Sequence, residues 1–172
     1  MKKKRDPRIE RIRTQERAKE RATRAGLDVP EKPEDELPAL DAEFEDLAEW
    51  NDRDLMAEFV MFTRWADYLN VQVILAEITE ETAGRIHRRL KDIAMLSIDA
   101  PKGEVLRAKA EAGLSDDVLE AEEEEASSKA YRKLVTGIYE NVVRDASALS
   151  REISRRSDRE PLDRRDRRWG GG

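Results

Sequence analysis

The chain has 172 residues, of which 42% are charged, and its net charge is −6. Average globular proteins have about a quarter of their residues charged, so this composition favours long helices that share apolar surface between subunits. The chain contains no cysteine, which excludes disulfides, thiolate metal sites and a cysteine nucleophile. Its longest apolar runs are far shorter than the roughly 20 residues of a membrane span. We expect a soluble, cytoplasmic protein with no membrane partner.

The charge is distributed unevenly along the chain. Residues 1–25 contain eleven Lys or Arg and four acids, a net charge of +7. Residues 151–172 contain eight Arg and five acids, a net charge of +3, which leaves −16 for residues 26–150. This asymmetry indicates that the ends bind a polyanion or an acidic protein surface, whereas the acidic body repels nucleic acid.

Residues 1–40 are predicted to form a basic arm followed by an acidic linker that contains proline. The arm has strong helix formers but few apolar anchors, so any helix is marginal in isolation and we expect a flexible segment that is disordered or orders on contact. The three prolines of residues 30–38 interrupt helix, and a short acidic helix is predicted near 41–50. Arginines at one-turn intervals can neutralise several phosphates of double-stranded DNA. The side chains assigned to DNA binding are Lys2, Lys3, Lys4, Arg5, Arg8, Arg11, Arg13 and Arg17.

Residues 41–156 are predicted to form a helical oligomerisation core. Asn51 is a suitable N-cap for a helix that continues to about Leu96. From Leu55 to Ala76, apolar residues recur at alternating spacings of four and three, which is the pattern of a heptad seam. Trp65 and Tyr68 widen the apolar face, and we assign them to packing and not to base stacking. The predicted oligomer interface is Leu55, Phe59, Phe62, Trp65, Leu69 and Val73.

A second seam follows a turn predicted at residues 97–103. Its members are Tyr131, Val135, Ile138, Val142, Ala146, Leu149 and Ile153. We expect it to lie antiparallel on the first seam, which gives an all-α fold: a long antiparallel helical hairpin that forms an oligomeric, ring-like core. Gly113 and Ser115 leave open whether the second arm of the hairpin contains one helix or two.

Residues 157–172 are predicted to be a disordered, arginine-rich tail. Pro161 and a terminal triple glycine disfavour helix there, and no apolar periodicity is present. Mixed Arg and Asp favour a protein partner at least as well as DNA, and Trp169 supplies an apolar anchor. The residues assigned to partner binding are Arg164, Arg165, Arg167, Arg168 and Trp169.

The sequence contains few residues suited to catalysis or cofactor binding. His87 is the only histidine and has four basic neighbours between Arg85 and Lys91, so we expect it to be solvated or at an interface. The many glutamates lack the Glu-x-x-His motif of helical di-metal sites and are predicted to form a solvated face that pairs with Lys and Arg. Phosphate-binding loops and hydrolase motifs are absent. We expect no enzyme activity, no catalytic residue, no metal and no cofactor.

Two segments resemble the small terminase subunits of tailed bacteriophages. They are "FTRWADYLNVQVILAEITEETA", with Trp65, Tyr68, Gln72, Ala76 and Glu77, and "SALSREISRR" near the end. The resemblance implies a ring of identical subunits in the host cytoplasm that binds viral DNA and regulates the large terminase subunit, which is the motor and nuclease. Many members have an N-terminal helix-turn-helix, but residues 1–40, which three prolines interrupt, do not have the sequence pattern of this motif. The basic arm is therefore the candidate for DNA binding in place of the helix-turn-helix.

A structural coiled-coil or scaffold protein is the alternative function. Its charged ends would dock on protein surfaces, with no role for nucleic acid. The two hypotheses differ in whether removal of residues 1–25 abolishes a salt-sensitive DNA affinity. They also differ in solution mass, because a large closed oligomer favours the terminase hypothesis and a dimer favours the scaffold.

Overall fold

The described part of the chain is built from four α-helices and one 3₁₀ turn. The computed structural model describes residues 7–38, 46–98 and 105–169, with side chains described for 13–38, 47–98, 107 and 110–158. The helices are α1 (Pro7–Arg24), α2 (Asp52–Ser97), α3 (Val105–Gly113) and α4 (Asp116–Trp169), and the 3₁₀ turn is Asp46–Ala48. No strand occurs in these ranges, so the all-α prediction is confirmed.

The chain divides into two compact units. The first unit comprises Met1–Val29 and Val71–Thr136, and the second comprises Pro30–Asn70 and Gly137–Gly172. Helices α2 and α4 each contribute a segment to both units. In the second unit, Arg156 near the end of α4 contacts Asp52 at the start of α2, so the two segments run antiparallel.

The core of the second unit contains the larger apolar side chains. Phe62 is completely buried and packs in one cluster with other seam residues of α2 and with α4. The predicted seams therefore meet within a single chain. The buried members of this cluster are Leu47, Leu55, Phe62, Trp65, Leu69, Val142, Ala148 and Leu149.

The first unit has a core of smaller side chains. Its α2 and α4 segments are also antiparallel, because Glu80 pairs with Arg132 while His87, further along α2, pairs with Glu125, earlier in α4. Small buried residues let helices approach closely, since little side-chain volume separates the backbones. The buried apolar residues of this unit are Leu75, Ala76, Ala83, Ala112, Val118, Ala121 and Val135.

The helix termini follow the capping residues of the sequence. The Asp54 amide donates to Asn51 Oδ1 at 2.9 Å, which confirms Asn51 as the N-cap of α2. Helix α3 ends at Gly113, and the amides of Val118 and Leu119 donate to the Ser115 carbonyl at 3.0 Å. The question left open by the sequence is thus answered, since α3 and α4 are separate helices.

Three predicted segments differ from the structure or lie outside its described part. The arm contains α1, which contacts α2 through Gln15, and disorder or ordering on contact stays a prediction. Helix α4 continues through Pro161 to Trp169, whereas we predicted no helix after Arg156. A proline inside a helix removes one backbone hydrogen bond and costs about 3 kcal/mol. The Arg, Glu and Leu residues around Pro161 favour helix and oppose this cost. Residues 41–45 of the predicted 41–50 helix lie outside the described part, and Asp46–Ala48 form a 3₁₀ turn; residues 99–103 of the predicted turn also lie outside it.

Candidate nucleic-acid interface

Helix α1 has well-defined signals at both ends. Pro7 is its first residue, a position where the missing amide hydrogen costs nothing. At its other end, Gly26 has a φ of 73°, a conformation that side-chain-bearing residues rarely adopt. The Leu27 amide donates to the Ala22 carbonyl and the Gly26 amide donates to the Thr23 carbonyl, both at 3.0 Å. This Schellman motif ends α1 at a fixed point.

Gln15 of α1 makes polar contacts with α2. Gln15 Nε2 donates to Thr79 Oγ1 at 2.7 Å and to the Leu75 carbonyl at 3.3 Å. Thr79 Oγ1 in turn donates to the Leu75 carbonyl at 2.8 Å. Ala18 and Ala22, one and two turns further along α1, are half-buried on the same side. This side of α1 therefore faces the protein.

The opposite side of α1 presents a stripe of exposed arginines. Arg13, Arg17, Arg21 and Arg24 follow one another at spacings of four, four and three, so they lie within about 80° around the helix and span about 16 Å along it. Arg24 approaches Glu20 at 3.8 Å, but both side chains are mostly exposed, and such surface pairs contribute little. The stripe can contact several phosphates of one nucleic-acid backbone.

The predicted DNA-binding residues fall into three groups. Arg13 and Arg17 lie in the exposed stripe, Arg8 and Arg11 lie on α1 before the described side chains, and residues 2–5 lie outside the described part. We did not assign Arg21, Arg24 or Gln15 from the sequence. The sequence contains a signal for Arg21 and Arg24, because Arg21 continues the four-residue spacing of Arg13 and Arg17, and Arg24 follows three residues later. Nothing local marks Gln15, because its acceptors are 60 and 64 residues away.

The residues predicted for the oligomer interface pack within one chain. Leu55, Phe62, Trp65 and Leu69 are buried in the core of the second unit, and Phe59 packs against that core. Val73, in the first unit, is half-buried. Heptad spacing identifies which residues are buried without identifying the helix that covers them. Oligomerisation stays a prediction, and these side chains are already covered by α4 or by their own unit.

All the N–H donors of the Arg156 guanidinium form hydrogen bonds within the second unit. A guanidinium has five N–H groups, and each has an acceptor here. Nε donates to Glu152 at 2.8 Å, Nη1 to the Trp50 carbonyl at 2.8 Å and to Asp52 at 2.6 Å. Nη2 donates to the carbonyls of Leu47 at 2.8 Å and Ala48 at 3.2 Å. These bonds fix the 3₁₀ turn and the start of α2 to α4.

Glu152 is buried beneath two arginines. Its side chain is 5% exposed, and Arg155 donates to it twice, both times at 2.6 Å. The hydrogen bond from Arg155, followed by that from Arg156, lowers the pKa of Glu152 from 4.5 to about 2, against the opposing effect of desolvation. Both bonds favour the ionised carboxylate.

Glu152→Gln is expected to remove a stabilisation that depends on pH. Because the folded state lowers this pKa, the stabilisation is complete above about pH 4.5 and is lost as the pH falls towards 2. Urea unfolding should therefore show a less stable variant at neutral pH, with a difference from wild type that shrinks in acid. Glu140→Gln, at an exposed position of the same α4 segment, is the control. A difference that stays constant down to pH 2 would contradict the assignment.

His87 is more enclosed than we predicted. Its side chain is 16% exposed, and Nδ1 lies 2.6 Å from Glu125 Oε2. Of the two predicted alternatives, the solvated histidine is wrong, because the basic neighbours of His87 are exposed while His87 faces α4, and the interface histidine stays a prediction. Gly84 allows this contact, since a Cβ there would lie 3.0 Å from Glu125 Oε1.

The acidic side chains have two kinds of environment. Arg132 Nε donates to Glu80 across the helix pair of the first unit, and this hydrogen bond raises the pKa of Arg132. Other glutamates of α4, such as Glu120 and Glu122, are exposed as predicted. Within the described ranges, no group of three or more acidic or histidine side chains could hold a metal ion.

The tail residues assigned to a partner, from Arg164 to Trp169, lie on the last turns of α4, beyond the described side chains. None of the described helices is both long and apolar enough to cross a membrane.

The exposed arginine stripe of α1 is the surface of the described part that is best suited to a polyanion. Comparison with protein-family models, curated proteins and solved structures finds no match to this chain.

Proposed function

We propose that this chain is a non-catalytic DNA-packaging protein of the small terminase type. It acts as a homo-oligomer, binds viral double-stranded DNA through α1 and regulates the large terminase motor through the end of α4. The observation that carries the proposal is the arginine stripe of α1, on the side away from the Gln15 contact with α2. A docked helix with an exposed basic face is suited to the phosphate backbone and needs no helix-turn-helix.

The geometry supports binding with weak sequence preference. Arginine donates two parallel hydrogen bonds to a phosphate, which adds orientation to the attraction of charge. The stripe has the length of about eleven helical residues, so it can follow one strand of the backbone over several phosphates. Most of the affinity should therefore be electrostatic and sensitive to salt.

Replacing Arg13, Arg17, Arg21 and Arg24 with alanine is expected to weaken binding of a labelled DNA duplex. The slope of log affinity against log salt should flatten by about 0.9 for each lost phosphate contact, up to about 3.6 for four contacts. Fluorescence anisotropy between about 50 and 200 mM salt measures this slope. Alanine keeps the helix propensity of α1, so the change reports on charge.

The matched control replaces the same four arginines with lysine. It keeps the charge and should keep most of the salt slope, with a smaller loss of affinity because lysine makes no bidentate contact. An alanine variant with the wild-type slope would refute α1 as the DNA-binding element. If the wild-type protein binds duplex DNA without salt dependence, or not at all, the alternative of a scaffold protein without a nucleic-acid partner is favoured.

A further inference from the structure

A second group of exposed arginines lies on α2 in the first unit. Residues 84–91 contain four cations and no acid, although the central part of the chain is strongly acidic. Arg85, Arg88 and Arg89 are exposed and lie within about 100° around the helix. Glu81 and Asp92 are exposed on the same face and bound this basic surface at its two ends.

The other face of α2 holds this surface in position. Ala83 and Gly84 are buried, and His87 is hydrogen-bonded to Glu125 at 2.6 Å. Gly84 and His87 face Glu125 of α4, whereas Arg85, Arg88 and Arg89 are exposed to solvent. A Cβ at Gly84 would lie 3.0 Å from Glu125 Oε1, so a larger residue there would require the Glu125 side chain to shift.

Within the described ranges, none of the three guanidinium groups forms a close ion pair with a carboxylate, although Glu81 and Asp92 lie one turn away. In the described ranges, their one side-chain hydrogen bond joins Arg85 Nη2 to Thr82 Oγ1 at 3.1 Å. The nearby Glu80 is paired with Arg132 instead. Like charges on adjacent turns repel one another, so an external anion that contacts two or three of them would relieve an unfavourable interaction.

We infer that Arg85, Arg88 and Arg89 form a second contact surface for the phosphate backbone of DNA, in the same compact unit as α1. This inference rests on the proposed function, because it assigns the same ligand to a second surface. The apolar neighbours Ile86 and Leu90 are half-buried on another face, but Ile93, one turn beyond Arg89, is 53% exposed, so an acidic protein partner is the alternative that the test must separate. With two basic surfaces, the unit can neutralise more phosphates than α1 alone.

The test is the salt slope of the full-length protein with Arg85, Arg88 and Arg89 replaced by alanine. The slope should flatten by about 0.9 for each lost contact, up to about 2.7, with weaker binding at each salt concentration. The matched control, Lys129→Ala with Lys133→Ala and Arg151→Ala, removes three positive charges from exposed positions of α4 and should keep the wild-type slope. A triple lysine variant at 85, 88 and 89 should also keep it, which excludes loss of folding as the cause.

A triple alanine variant with the same slope as the α4 control would overturn the inference. The two proposals can fail separately. If the alanine variant of α1 has a flatter slope and that of α2 does not, α1 binds DNA alone and the basic surface of α2 is left to an acidic partner. If the wild type shows no salt-dependent binding, both proposals are wrong.

Discussion

Replacing Phe62 with alanine is expected to lower the free energy of unfolding by about 3–5 kcal/mol. Phe62 is completely buried among Leu55, Trp65 and Leu149 in the second unit, so the change removes apolar contacts and leaves a cavity. Urea denaturation followed by circular dichroism measures this loss. Val60→Ala is the control, because Val60 is 43% exposed on the same helix and its truncation should cost well under about 1 kcal/mol.

Equal costs for the two substitutions would show that Phe62 is not in the core of the folded chain.

The burial of Phe62 also bears on oligomerisation. A charge at Phe62 or Leu69 would unfold the second unit, so a fall in solution mass would not identify a subunit contact. Met56 and Val60, which are apolar and exposed on α2, are better positions for testing assembly.

Truncation after Arg156 is expected to abolish stimulation of the large terminase ATPase, if the proposed function is correct. The truncated chain keeps Arg156 and all five acceptors of its guanidinium, so the second unit should stay folded. DNA binding through α1 should also be unchanged. The removed residues hold the arginines and Trp169 that we assigned to the motor, and an oligomer would present many copies of them.

The measurements are the ATPase rate of the cognate large subunit with each protein, the thermal melt and the DNA affinity. Removal of the terminal three glycines alone is the matched control and should leave stimulation intact. Replacing Trp169 with alanine should lower stimulation without changing the melt. Full stimulation by the truncated chain would refute the assignment of the tail, and a loss of folding would make the end of α4 a structural element.

The spacing of apolar residues predicted the helices and most of the buried positions. Leu55, Phe62 and Leu69 are seven residues apart along the chain, and all three are buried. Their partner could not be predicted, because the same spacing serves contacts within a chain and between chains. The antiparallel arrangement followed from two seams joined by a turn, and the paired residues within each unit agree with it.

The polar contacts were beyond the reach of local patterns. Arg156 binds acceptors more than 100 residues away, and Gln15 binds acceptors more than 59 residues away. Nothing in the local sequence distinguishes Arg156 from the other arginines of residues 151–168 or marks Gln15 as a contact residue. The charged sequence neighbours of His87 do not indicate its environment, because successive residues of a helix point in different directions.

The five-fold contact of Arg156 provides a fingerprint by which relatives of this chain could be recognised when overall identity is low. A lysine has three donors and no planar fork, so it could not reproduce the contact. The side chains that define the fingerprint are an aspartate at the start of one helix and a glutamate and an arginine four residues apart in another, with 104 residues from Asp52 to Arg156. The separation along the chain would vary with the length of the hairpin, but the pairing of these residue types would not.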